Sequence, residues 1–414
     1  MPETCDAIVL GAGPAGLGAT LALARAGADV TLVEAADRVG GLCVTRRRDG
    51  VGYDIGGHIP FVRDHARLAW LRELVGDDLR WVPRPVRSVR DGRLRAGRYL
   101  DQPGEGDGAP DGDPASALGW LSALRGRATV EAEMRAYLEK IDGVPLERIP
   151  ADRARRLLED QAAPDGFHFP AGGIGQLMDA MAAAAAAAGA RILTGTRARE
   201  VDAAGGRMRG AVLRRAGEEL AVRAPRAVVA MPAGAAVRLF RPGPAPGEVG
   251  PVRMRAVCIA YLEAAPAQAF RDAWVQVDDP EVPFARLFAP GNWSAGLVPG
   301  DRTVFGCECY CRPEPDDPVW GSSDEALVAA CARALTGRLG WVDRSAGLRA
   351  LEVLRLPGAY PLPDLRQVDA VQAPARWLAG LEGVHHAPGA AVIEAIEGGE
   401  RAAAAALGAA AGVA

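Results

Sequence analysis

The chain has 414 residues, 49% apolar and 24% charged, with a formal net charge of −4; this balance is ordinary for a soluble globular protein, and the length suits two interleaved domains better than one core. Acids and arginines are mixed along it, and no basic block alternates with aromatics, which excludes a nucleic-acid surface. The longest membrane-like apolar stretch, 181–190, is mostly alanine and too short to span a bilayer, which excludes an integral membrane segment.

The first elements come at once. Asp6-Ala7-Ile8-Val9-Leu10 is an apolar run of strand length, followed by Gly11-Ala12-Gly13-Pro14-Ala15-Gly16, a helical run to Gly27 and a second strand ending at Glu34. That order predicts a βαβ dinucleotide-binding unit. Gly11 permits the turn off the strand, Gly13 lets the backbone approach a pyrophosphate, and Gly16 lets the helix pack on the sheet. The helix start offers free N–H groups to phosphates, and Glu34 is placed to accept hydrogen bonds from a ribose diol. A strand this early leaves no room for a secretory signal, so a cytoplasmic location is expected. Seven cysteines, an odd number, read as reduced thiols.

Arg38-Val39-Gly40-Gly41 follows the second strand, and Asp54-Ile55-Gly56-Gly57-His58 comes shortly afterwards. A glycine pair lets backbone pass close against a flat or charged ligand, and Arg38 can offset phosphate charge. Together with the first motif, these elements resemble the FAD-binding flavoenzymes of the amine oxidase, phytoene desaturase, protoporphyrinogen oxidase and UDP-galactopyranose mutase superfamily. The resemblance implies FAD as cofactor, held by Gly11, Gly13, Pro14, Ala15, Gly16, Glu34, Ala35, Arg38, Gly40, Gly41, Leu42, Gly56, Gly57 and His58. His58 would pass beside the isoalloxazine as acid, base or hydrogen-bond donor, with a structural histidine as the alternative. Cys43 has no visible activating partner and reads as structural.

Residues 67–75 have helical apolar spacing, and 101–114 is a Gly-, Pro- and Asp-rich stretch expected to be an exposed loop. The block 117–158 is helical, broken at Gly143 and Pro145, carries no recognisable chemistry, and is assigned to a cap over the flavin. The stretch from Phe167 opens a helix running to 188; strands follow at 190–194 and 198–202, then a hairpin over 208–222 and a buried strand over 226–232. The resemblance implies that a residue at about Val201 offers its backbone to the adenine.

Most of 252–369 reads as strands, with one clear helix over 323–339 capped by Ser322 or Ser323. Cys307, Cys309 and Cys311 alternate with Glu308 and Tyr310, so period two puts the three thiols on one strand face. No zinc-type cysteine or histidine pair accompanies them, and a buried face is expected rather than a metal site. By resemblance, Arg286, Asn292, Trp293 and Tyr360 line or support the pocket under the flavin, the alternative for Trp293 and Tyr360 being core or turn positions. Residues 376–380 read as a last short strand that brings Gly380 to the cofactor. The closing helix begins in 389–401; the resemblance puts its start, with Ala391 and Val392, at the flavin's pyrimidine edge, where N–H groups and the dipole stabilise the reduced ring.

The expected architecture is α/β with an α+β substrate domain. A Rossmann-like FAD-binding domain is built from the discontinuous segments 1–75, 166–245 and 375–414, with a substrate or cap domain of 76–165 and 246–374 interleaved. The expected function is two-electron oxidation of a small polar metabolite by hydride transfer to flavin N5, with His58 and Arg286 as catalytic candidates. Two alternatives stand beside it: a redox-neutral mutase resembling UDP-galactopyranose mutase, and a non-catalytic binder of the same fold. Simple amine oxidation is demoted, because Leu42 replaces the arginine that commonly ends R-x-G-G-R and the only lysine, Lys140, sits in the helical block.

Overall fold

The structure is a computed structural model describing residues 3–90, 93–101, 104, 106, 108–109, 112–159, 165–389 and 391–408. Of the expected loop at 101–114, residues 102–103, 105, 107, 110 and 111 lie outside the described residues, as does Ala390 before the closing helix.

A five-stranded parallel sheet runs in the order Arg191–Leu193, Val30–Val33, Ala7–Leu10, Ala227–Val229, Val384–His386. Ala7–Leu10, Val30–Val33 and Ala227–Val229 are buried throughout, as expected for parallel strands covered on both faces. Helices Pro14–Arg25, Ile174–Ala187 and Val392–Ala406 gather on one side. The first and last of these touch through glycines. A Cβ on Gly399 would lie 1.9 Å from Ala15 O, and one on Gly18 would lie 2.6 Å from Ile396 O, so only glycine allows this approach. On the other side lies a second five-stranded sheet: Glu3–Thr4, Glu218–Arg223, Gly210–Arg215, Thr196–Asp202 and Phe240–Arg241.

A seven-stranded sheet carries the other half, ordered Gly347–Pro361, Met254–Ala265, Thr303–Cys311, Arg286–Phe288, Trp274–Val277, Val86–Arg90, Arg93–Ala96. Its two faces differ. Cys258, Cys307, Cys309 and Cys311 pack toward Cys331 of helix Asp324–Arg333, whereas Val257, Ile259, Tyr261 and Phe288 join the core shared with the dinucleotide half. Helices Ala117–Arg125, Arg135–Asp142 and Ala151–Glu159 form a further cluster that reaches the sheet at Ala285 and Leu362. Among the described residues no helix is long and apolar enough to cross a membrane.

Two expectations are corrected. Residues 376–379 are not a strand but the end of helix Val368–Ala379, which Gly380 caps. Pro374 and Leu378, four apart, bury one helical face, so a 3.6-residue period governs what looked like a short apolar run. The strand comes later, at Val384–His386. Likewise Gly166–Pro170 is a strand paired with Leu79–Pro83, and the helix starts only at Ile174.

Candidate active site

The first half of the site is made of backbone. Gly11 has φ +100°, and a Cβ there would lie 2.7 Å from Ala230 O at the end of the neighbouring strand. A Cβ on Gly16 would lie 1.8 Å from Gly11 O. At Gly13, by contrast, an added Cβ meets nothing within 4 Å, so there is open space over the start of helix Pro14–Arg25, whose first turn has neither a side-chain cap nor an acid. The Arg38-Val39-Gly40-Gly41 loop folds onto this turn: Gly40 N–H donates to Ala12 O at 2.7 Å, and a Cβ on Gly41 would lie 3.1 Å from Gly13 Cα. Glu34 fixes the turn from below, its Oε2 accepting from Ala12 N at 2.8 Å and its Oε1 from Ala36 N at 2.8 Å. This cradle has the space, exposed N–H groups and acid that a dinucleotide needs. Ala35, Arg38 and Leu42 lie exposed at its rim, and Arg38 joins Arg47, Thr45, Gln176 and Asp179 around a cavity of about 340 Å³. The start of the closing helix, Ala391 and Val392, also lacks a side-chain cap.

The second half is made of side chains, and the Gly56-Gly57-His58 loop joins it to the first. Gly56 N–H donates to Tyr261 Oη at 3.0 Å, and that hydroxyl donates to Asp54 O. Gly57 N–H donates to Glu308 Oε1 at 3.1 Å, while Glu308 Oε2 accepts from Tyr310 Oη at 2.9 Å. Arg286 stands directly across the ladder from Glu308, yet its Nε is 3.5 Å from Glu308 Oε2 and has no hydrogen-bond partner among the described residues. His58 Nδ1 is also buried without a hydrogen-bond partner among the described residues, and burial holds this histidine below its usual value against the opposing pull of Glu308. Asp54 anchors the loop's other end. Its Oδ1 accepts from Thr45 Oγ1 at 2.5 Å and its Oδ2 from Ile174 N at 3.1 Å, where it supplies the helix cap that Gly173 cannot. Burial nevertheless pushes the Asp54 carboxyl up to about 6.

Around Arg286 the helical block contributes Tyr137, Asp142 and Arg153. Arg153 pairs with Asp142 at 2.9 Å and lies over the Tyr360 ring at 5.4 Å; Tyr360 Oη donates to Ile141 O at 3.0 Å. None of these three helical residues stood out in the sequence. Glu308 and Tyr310 had a usable signal, because the alternation that turns the cysteines one way turns these two the other.

Other expected site residues lie elsewhere. Asn292 spends its amide on Phe270 O and Asp272 O, at 3.1 and 2.8 Å, and Trp293 Nε1 donates to Ala273 O at 2.9 Å while its ring stacks on Phe288. Asn292 thereby ties its own turn to the loop at 270–273, and Trp293 backs the glycine pair, its Cη2 lying 3.7 Å from where a Gly57 Cβ would be. Val201 is buried between two strand partners; the residue of its strand that meets Glu34 is Thr196, whose N–H donates to Glu34 O at 2.8 Å. At about 3.3 Å per residue, Val201 lies roughly 16 Å further along. Gly380 is exposed at the opposite end of the parallel sheet from Gly11, since it precedes the start of Val384–His386 whereas Gly11 follows the end of Ala7–Leu10. Lys140 is far from free: its Nζ donates to Asp279 O and Val282 O.

The family described as "DAO: FAD dependent oxidoreductase" matches residues 6–395. All-trans-retinol 13,14-reductase of Danio rerio is 35% identical over 85 residues, which is 20% of this chain and only 14% of that protein's length. The crystal structure of reduced UDP-galactopyranose mutase superposes with a TM-score of 0.77 at 17% identity, over 99% of this chain and 96% of that one. Putrescine oxidase bound to putrescine superposes with a TM-score of 0.66 at 20% identity, over 98% and 99%. At these identities the two structures show a common fold.

Proposed function

Because this chain belongs to the family of FAD-dependent oxidoreductases, we propose that it removes two electrons from a small polar metabolite in the cytoplasm, by dehydrogenation or desaturation. Bound FAD supplies the redox chemistry, accepting a hydride equivalent at N5. Gly11, Gly13, Pro14, Ala15, Gly16, Glu34, Gly40 and Gly41 would hold its phosphates and ribose, Arg38 would offset phosphate charge from the rim, and the uncapped first turn at Ala391 and Val392 would offer N–H groups to the ring. Segments 1–75, 166–245 and 375–414 form the cofactor half and 76–165 and 246–374 the substrate half, the last boundary being better drawn at Val368, where the helix starts. Thr196 replaces Val201 as the strand residue nearest the acid that receives the ribose.

One juxtaposition carries this reading: the Gly56-Gly57-His58 loop is tied by Gly57 N–H to Glu308, with Arg286 beside it and His58 Nδ1 left partnerless. Neutral His58 accepts a proton, Glu308 orients the loop, and Arg286 orients the substrate. A redox-neutral mutase would need paired arginines for a diphosphate, but Arg253 bonds Asp364, Arg255 donates to Ile141 O and Lys140 O, and Arg153 is matched by Asp142. The test is to purify the protein with its flavin, reduce it anaerobically and assay candidate substrates in both redox states. Substrate-dependent bleaching of the oxidised flavin supports the dehydrogenase. Turnover confined to the reduced state without net electron transfer sinks it, and a colourless protein that takes up no FAD removes both.

A further inference from the structure

Four thiols share one face of the seven-stranded sheet, Cys258 from Met254–Ala265 and Cys307, Cys309 and Cys311 from Thr303–Cys311, and helix Asp324–Arg333 lays Cys331 over them. Two pairs come within reach of each other. Cys258 Sγ lies 3.8 Å from Cys311 Sγ, and Cys309 Sγ lies 3.9 Å from Cys331 Sγ.

The two pairs differ in their company. Arg355 stands directly across the ladder from Cys258, and its Nη1 lies 3.7 Å from Cys258 Sγ. The guanidinium is pinned there by Trp320 O at 2.7 Å and by Ser322 O and Asp324 Oδ1, both at 2.8 Å, yet 25% of its side chain is accessible. Cys258 is therefore buried one side chain deep, beneath a fixed positive charge. Cys309 has instead the Cys331 sulfur and the Cys307 carbonyl, inside an apolar layer with Phe305, Leu327 and Leu335. A guanidinium favours the thiolate, which is the form that reacts with oxidants. The Cys311 thiol and Arg355 hold Cys258 below the usual thiol value against burial, whereas the same sulfur contact and burial hold Cys311 above it. That asymmetry suits an attacking and a resolving sulfur. The two residues are diagonal neighbours across antiparallel strands, Cys258 facing Cys309 and Cys311 facing Ala256. Closing their 3.8 Å to a bond of about 2.0 Å moves each sulfur by roughly 0.9 Å.

We propose that Cys258 and Cys311 form a redox-active dithiol, which hydrogen peroxide converts to a disulfide joining the two strands. The Cys258 sulfur attacks one peroxide oxygen, the O–O bond breaks, and a sulfenic acid forms as the first water leaves with the thiol proton. The Cys311 sulfur then displaces that hydroxyl, forming the S–S bond as the S–O bond breaks, and the second water leaves with the Cys311 proton. Two electrons leave the sulfur pair, and both peroxide oxygens end as water. This chemistry does not depend on the flavin reading.

The test treats the reduced, purified protein with its flavin with a small excess of hydrogen peroxide, alkylates the remaining thiols in denaturant, and maps the peptides by mass spectrometry without reductant. The expected result is the loss of two of the seven thiols, recovered as one Cys258–Cys311 linked peptide and restored by dithiothreitol. Cys311→Ser should stop at a Cys258 sulfenic acid that dimedone traps, and Cys258→Ser should leave Cys311 free. Arg355→Gln should slow the loss of thiols about tenfold. The wild-type peptide map needs no variant to fold. Seven thiols still alkylated after peroxide, a link through Cys309 or Cys331 instead, Cys258 carried on to sulfinic acid while Cys311 stays free, or an Arg355→Gln rate equal to that of the wild type would overturn the assignment.

Discussion

The dinucleotide cradle and the cluster around Arg286 are put together in contrasting ways. The cradle is built from backbone: Gly11, Gly13, Gly16, Gly40 and Gly41 expose N–H groups and leave room, and Glu34 is the one charged side chain that shapes the turn. The Arg286 cluster is built from side chains, with Arg286, Glu308, Tyr310, Tyr137 and Arg153 converging from four elements. A backbone site must follow one order along the chain, so it leaves a motif. A side-chain site needs only convergence in space, so it leaves none.

The sharpest way to break this contrast is to put a side chain where the cradle has none. Gly16→Val would drive carbon into Gly11 O, which a Gly16 Cβ already approaches to 1.8 Å. The expected cost exceeds about 3 kcal/mol, since both neighbours are backbone and cannot swing aside. Flavin content per protein after purification should fall to near zero, and a variant that retains full yellow colour would refute the geometry.

Glu308→Gln tests the other half and should have a smaller, selective effect. The amide oxygen can still accept from Gly57 N–H, but the negative charge beside Arg286 and His58 is gone. Flavin should stay bound while substrate-driven flavin reduction slows by about 10- to 100-fold. Glu308 raises the pKa of His58, so its removal should move the acid limb of the pH–rate profile to lower pH. An acid limb that stays in place would separate His58 from the chemistry.

Asp54 bridges the two regions, and its signature is stability rather than rate. Its folded-state pKa is raised from 3.8 to about 6 by burial, so its protonated form is favoured on folding. Its contribution is therefore fully present below about pH 4 and lost as pH rises through about 6, by about 3 kcal/mol in all. Between pH 4 and 7 the stability of the wild type relative to Asp54→Asn, read by denaturation, should fall by that amount. A constant difference would mean that the carboxylate is ionised throughout.

The smallest effect is expected on the far side of the same sheet. Cys331 Sγ lies 3.9 Å from Cys309 Sγ in an apolar layer; that contact and burial raise Cys309, whereas the contacts with Cys307 and Cys309 lower Cys331, and both thiols are buried as packing groups. Cys331→Ala should cost about 1 kcal/mol, read as a small drop in melting temperature, with flavin content and turnover unchanged.

The same contrast decides what the sequence discloses. The βαβ unit, Glu34, the Arg38-Val39-Gly40-Gly41 loop and the closing helix are legible because local order and glycine spacing determine them. The buried cysteine face follows from period two. The strand expected at 376–380 is absent because a helix extends to Ala379, and along its own strand Val201 stands beyond Thr196, the residue that meets Glu34. Asn292 and Trp293 were named from a resemblance in spacing, which does not record that their side-chain N–H groups bond the carbonyls of the loop at 270–273. Tyr137, Asp142 and Arg153 could not be found, because helix periodicity records only which side is buried. Which side chains that buried side meets depends on a sheet that lies more than a hundred residues further on.

The contact between the first and last helices has a consequence during synthesis. Ala15 and Gly399 touch, yet the ribosome must add nearly four hundred residues between them, which at about 5–20 residues per second takes roughly 20–80 s. Throughout that interval the nascent first helix keeps an apolar flank without its partner. A cradle completed by both helices therefore forms only after the last helix has emerged, and until then the flank is left uncovered.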